Sequence, residues 1–106
     1  MARVLINVPK IIRRNEGFEV KVLIAHPMES GQRRDAYGQA IPRAIIHDLV
    51  CALDGERVLR MELFPAVAAN PFLSFSVVAE KSGILTLSFS DDGGATQIES
   101  VVITVT

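Results

Sequence analysis

The stretch GFEVKVLIAH, Gly17 to His26, decides the fold class. Phe18, Val20, Val22 and Ile24 alternate with Glu19, Lys21, Leu23 and Ala25, the period of a strand with one face in a core. An amphipathic helix would instead space its apolar residues three and four apart. The same period recurs in RVLRMELF, where Leu59, Met61 and Leu63 alternate with Arg60, Glu62 and Phe64. It recurs again in ILTLSFS, where Leu85, Leu87 and Phe89 alternate with Thr86, Ser88 and Ser90. Phe72 to Ala79 and the Val-, Ile- and Thr-rich stretch Gln97 to Val105 read as strands too.

Punctuation supports this reading. Asn15-Glu16-Gly17, Asp54-Gly55, Asn70-Pro71, Ser82-Gly83 and Asp91-Asp92-Gly93-Gly94 separate the runs, and these residue types accept positive φ or preset a turn. Pro9 divides the first apolar stretch into two edge segments, since proline donates nothing to a ladder. AIIHDLVCAL, Ala44 to Leu53, fits a helical stripe as well as a strand. Pro42 before it and Asp54-Gly55 after it favour a central strand, with Ile45, His47, Leu49, Cys51 and Leu53 sharing a face. The expectation is an all-β, immunoglobulin-like antiparallel β-sandwich of about seven strands. One cysteine and no tryptophan rule out the disulfide-and-tryptophan core of antibody domains, not the architecture.

With 106 residues the chain is expected to form a single domain, 1–106. Hydrophobic residues make up 49% and charged residues 22%, and 11 Lys+Arg face 12 Asp+Glu. That balance, with basic pairs only at Arg13-Arg14 and Arg33-Arg34, argues against a nucleic-acid partner. Apolar runs are too short to cross a membrane as helices. MARVLINVPK offers only Val4, Leu5 and Ile6 before Asn7, so no export signal is expected in this chain.

Chemistry finds little to work with. His47 and Cys51, four residues apart on a strand, would sit about 13 Å apart, too far to meet, and Cys51 reads as a small core hydrophobe. His26 and His47 lack metal-ligand spacing. Asp91-Asp92-Gly93 reads as a turn rather than a calcium loop, and the serines sit in no nucleophile elbow. No catalytic residue, cofactor-binding residue or metal ligand is nominated.

One polar segment interrupts this scaffold: AHPMESGQRRDAYGQAIPR, Ala25 to Arg43. Loops this long are usually functional or disordered, so this is the first place to look for function. Met28, Arg33, Arg34, Tyr37 and Arg43 are the residue types that interfaces favour, and they are nominated as partner-binding. The alternative is an extended hairpin whose charges serve only solvation and whose Gly31 and Gly38 serve turns.

In order and at this length, His26 through Arg33 with Asp35, Ile41-Pro42-Arg43, Asn70-Pro71-Phe72 and Asp91-Asp92-Gly93 closely resemble the SoxZ family. The resemblance covers nearly the whole chain. It departs at Ser88-Phe89-Ser90, where bulkier aromatics are expected. It implies an immunoglobulin-like, non-catalytic subunit of the SoxYZ sulfur-carrier complex of thiosulfate oxidation. Its partner would be a SoxY-like subunit carrying intermediates on a cysteine in a carboxy-terminal Gly-Gly-Cys-Gly-Gly arm, and through it other Sox enzymes. It further implies a periplasmic location, reached by co-export with that signal-bearing partner. His26-Pro27-Met28-Glu29 also resembles part of the iron-site segment of superoxide reductases, whose site needs four histidines and a cysteine where this chain has two histidines. A general immunoglobulin-like binding module is the third reading.

Overall fold

The alternating runs become seven strands in the computed structural model, which describes residues 3–106. They are β1 (Arg3–Asn7), β2 (Gly17–Ala25), β3 (Ile46–Leu53), β4 (Glu56–Glu62), β5 (Phe72–Val78), β6 (Gly83–Asp91) and β7 (Thr96–Ile103). Met1 and Ala2, part of the amino-terminal stretch read for an export signal, lie outside the described residues.

Two antiparallel sheets form an immunoglobulin-like sandwich, ordered β1-β2-β5 and β4-β3-β6-β7. The period-two pattern decides which face is buried, because one residue of slip would turn every apolar side chain outward. Phe18, Val20, Val22 and Ile24 of β2 point inward and meet Leu49 and Cys51 of β3 and Leu85, Leu87 and Phe89 of β6 in one core. Among the described residues no polar or charged residue is buried.

Pro9 acts as the sequence predicts. β1 stops at Asn7, and the chain crosses to the other sheet, where Ile12 bridges Val105 in parallel and accepts from the Thr106 N–H at 2.9 Å. The ambiguous run Ala44 to Leu53 is a strand, but its shared face needs correction. A β-bulge between Ile46 and Asp48 shifts the register against β6, so Ile45 and Ile46 are both buried beside Leu49 and Cys51. His47 is only half-buried and lines a surface depression with Arg43, Arg60, Phe64 and Asp92. A bulge inserts one residue and reverses the alternation, which no period count detects.

β2 and β3 belong to different sheets, so the chain between them must cross the end of the sandwich. The β4–β5 and β6–β7 connections lie at this same end, where the Leu63 N–H donates to the His47 carbonyl and the Asp92 N–H to that of Ile45. The long axis spans 58 Å, nearly twice the ~30 Å of a nine-residue strand.

Candidate partner-binding hairpin

The polar segment is an ordered hairpin. Glu29 and Ala44 exchange backbone hydrogen bonds of 3.0 and 2.9 Å, the Ile41 N–H reaches the Arg33 carbonyl at 2.9 Å, and Arg34 bridges Ala40. Asp35 closes the tip: its carboxylate Oδ1 accepts the Tyr37 and Gln39 N–H groups at 2.8 and 3.0 Å, and its carbonyl accepts the Gly38 N–H at 3.1 Å. This is the side-chain turn that aspartate favours, and Gly38 at φ +77° supplies the left-handed residue. Gly31, at φ +88°, is required twice over, since a Cβ there would lie 3.0 Å from the Arg43 Cβ.

The hairpin is fastened at its base. His26 and Asn70 exchange bonds, from the His26 N–H to Asn70 Oδ1 at 3.1 Å and from the Asn70 N–H to the His26 carbonyl at 2.8 Å. His26 Nδ1 accepts the Met28 N–H at 2.9 Å, so this ring nitrogen is committed to holding a turn. Arg43 meets Asp92 of the β6–β7 turn in a bidentate pair, both contacts 2.8 Å, and Asp92 also accepts the Ile45 N–H at 3.1 Å. The Arg43 guanidinium first, and then that N–H, pull the Asp92 carboxyl down to about 2.

The five residues nominated as partner-binding thus have different fates. Tyr37 stands at the tip with 90% of its surface exposed. Arg34 is exposed and spends one N–H on the Gly38 carbonyl at 2.8 Å. Arg33 pairs with Glu29, its closest contact 2.6 Å, and holds that carboxyl below its ordinary range. Arg43 is tied to Asp92. Met28 is not a surface residue: it is 4% exposed, inserted in the core, with Sδ accepting the buried Ile46 N–H at 3.4 Å. The expectation of an exposed methionine fails because the chain turns at Met28, φ +48°, and drives the side chain inward. Sequence reasoning missed Asn70 and Asp92 as clamps. Both lie more than forty residues from their partners, and turn chemistry already accounted for them.

Among the described residues outside the hairpin, the groups considered for chemistry are buried or engaged in turns. Cys51 is fully buried, and burial pushes its thiol up to about 11. Asp91 serves its own turn, accepting the Ala95 N–H at 3.0 Å. Among the described residues no three of His, Cys, Asp or Glu are grouped as metal ligands, and no helix is long and apolar enough to cross a membrane.

Residues 6–102 match the family described as "Sulphur oxidation protein SoxZ". The chain belongs to the SoxZ family. Solved structures similar to this SoxZ-family chain include the sulfur carrier protein SoxY from Chlorobium limicola f thiosulfatophilum, with 15% identity and a TM-score of 0.66, covering 97% of this chain and 78% of that one. A superoxide reductase (neelaredoxin) from Ignicoccus hospitalis shares 20% identity with a TM-score of 0.70, covering 97% and 80%. A CARDB domain from Pyrococcus furiosus shares 13% with a TM-score of 0.57, covering 98% and 93%. The chain has no significant match among curated proteins. At these identities the likeness is one of fold, and function has to be argued from the site. The family makes the chain a sulfur-oxidation subunit of the Sox type.

Proposed function

We propose that this chain is the non-catalytic partner subunit of a SoxYZ-type sulfur carrier, binding a SoxY-like subunit and performing no bond chemistry itself. Family membership over residues 6–102 carries the reading. The hairpin supports it with a rigid, clamped projection that ends in an exposed aromatic ring, the combination of preorganisation and rigid anchor that interfaces use. Residence in the periplasm beside that partner belongs to the same proposal, and fractionation of cells producing both subunits tests it.

Iron chemistry of the superoxide-reductase kind has a structural neighbour in its favour and a donor set against it. His26 spends a ring nitrogen on Met28, His47 sits on a bulge, and Cys51 is sealed in the core. These residues do not fit the site. Stoichiometric iron in the purified protein would overturn that reading.

Co-purification and titration calorimetry with the SoxY-like subunit test the proposal. Arg33 and Arg43 are poor probes because each serves an internal ion pair, so charge reversal would disturb the hairpin itself. Tyr37→Ala removes only an outward group, whereas Arg34 also holds the Gly38 carbonyl, so the single Tyr37→Ala variant is expected to lower affinity at least tenfold while leaving the unfolding midpoint unchanged. Unaltered affinity would remove the hairpin tip from the interface, and absence of binding by the native chain would sink the proposed function.

A further inference from the structure

The outer face of the four-stranded sheet has an unusual composition for a solvated surface. Leu85, Leu87 and Phe89 are buried in the core, so the alternate residues of β6 face outward, and the register continues this face across its neighbours. Val50, Ser88 and Ile98 form one row across β3, β6 and β7, and Ala52, Thr86 and Ser100 form the next. Ile84 lies beside Val102 at the far end. Among the described residues, charge on this face is confined to β4 and the adjoining corner of β3, where Arg60 lies 3.0 Å from both Asp48 and Glu62.

An antiparallel sheet with one wet face ordinarily shows polar and charged residues outward. Here Ile98 and Val102 are 63% and 70% exposed, with hydroxyl-bearing residues between them. The core of an interface is depleted of charge in this way, and exposed apolar patches of a few hundred Å² mark interaction sites. β7 adds a second sign. It is an edge strand of eight residues, TQIESVVI, with no lysine, arginine or proline to blunt it, and its single charge, Glu99, lies on the side away from the outer face, beside Gln97.

We propose that this uncharged face of β3, β6 and β7 is the surface on which the SoxY-type subunit sits, packing a β-sheet of its own against it face to face. The proposal rests on the function proposed above and goes further by naming the surface and the matching chemistry: flat, uncharged, and built from small and aliphatic side chains. Three observations select that occupant. An uncharged face cannot hold a charged partner surface without stranding its charges. A flat sheet is matched best by another sheet of similar length and twist, about 10 Å away, and SoxY has this fold over 97% of the present chain. Three strands at 4.8 Å spacing and about eight residues at 3.4 Å give a footprint of roughly 400 Å², about half of the ~800 Å² each partner gives to a standard interface. The hairpin leaves the sandwich at the Asp92 end of this same sheet, through the Arg43–Asp92 clamp, and can supply the remainder.

Ser88→Lys places one charge at the centre of the face without touching the core. It is expected to weaken binding to the SoxY-type subunit by at least a hundredfold, whereas Ser76→Lys, on the outer face of the other sheet, leaves binding unchanged. A gentler variant guards against misfolding. Ser88→Cys should be labelled rapidly by maleimide in the free chain and protected in the complex, with buried Cys51 as the silent internal reference. If native chain and partner bind while Ser88→Lys binds equally well and Ser88→Cys stays reactive in the complex, the face is free and the proposal falls, though the proposed function survives. If the chain forms a homodimer that Ser88→Lys dissolves without affecting the SoxY-type subunit, the occupant is a second copy and the proposal is again overturned. If the native chain does not bind that subunit at all, the proposed function itself is refuted.

Discussion

Met28 separates two roles that the sequence leaves entangled, contact residue and core residue, and its truncation tells them apart. The side chain is 4% exposed and belongs to the same cluster as Leu49 and Phe89. Met28→Ala removes that packing at a cost of about 3 kcal/mol. It also removes the thioether that accepts the buried Ile46 N–H, a weak acceptor whose loss leaves a buried donor unpaired at a cost of about 1 kcal/mol. The sum of about 4 kcal/mol is a large share of the 5–15 kcal/mol that holds a domain together, and at about 4–8 °C per kcal/mol it lowers the melting temperature by roughly 15–30 °C. Met28→Leu keeps the volume and loses only the sulfur, so it is expected to cost about 1 kcal/mol. Urea unfolding gives both values. Hydrogen exchange at Glu29 and Ala44, whose amides tie the hairpin base together, shows whether the loss is global or confined to the hairpin. If Met28→Ala unfolds within 0.5 kcal/mol of the native chain, with those amides still protected, and partner affinity falls instead, the core assignment is wrong and Met28 is a contact.

Two further predictions rest on single groups. The folded-state carboxyl of Asp92 sits at about 2, below its unfolded value near 4, so its stabilising contribution is complete above about pH 4 and disappears as the pH falls through about 2. Acid titration of stability should therefore decline over that window in the native chain and flatten in Asp92→Asn, and an unchanged slope would mean that the Arg43 pair does not hold in solution. Cys51, buried with its thiol pushed up to about 11, is expected to react with an aromatic disulfide reagent only as fast as the chain unfolds; rapid modification of the native protein would show that the sheets part at β3.

β2, β5, β6 and β7 were legible because each alternates with a period of two and is bounded by turn residues. β2 is the clearest case, its inward residues Phe18, Val20, Val22 and Ile24 all buried. Pro9 marked the point where the first strand stops for a local reason that proline states directly. His47 was not legible. Its bulge depends on how Ile45 and Ile46 both find room in the core while Asp48 pairs with Ser90, a tertiary demand that leaves no mark on the local pattern. The same holds for the hairpin. Gly31 and Gly38 announced turns, but Asp35 read only as a charge, and the ties from Asn70 to His26 and from Asp92 to Arg43 are long-range, so that only the fold brings those residues together. Met28 misled because methionine suits interfaces and cores equally well.

Those ties bear on what the hairpin can present to another molecule. Arg33 faces Glu29, Arg43 faces Asp92, and Arg34 is turned on to the Gly38 carbonyl while Asp35 is spent on the tip amides. The charges that made the segment look like an electrostatic handle are thus largely consumed in making it stiff. A stiff hairpin loses little conformational entropy when another surface closes on it, so its contribution to binding lies in shape and in the exposed Tyr37 ring rather than in charge. The uncharged face of β3, β6 and β7 has the same character. Hairpin and sheet therefore ask for one kind of partner, broad and neutral, and a second sandwich meets that description in a way that a small ligand, a polyanion or a charged peptide does not.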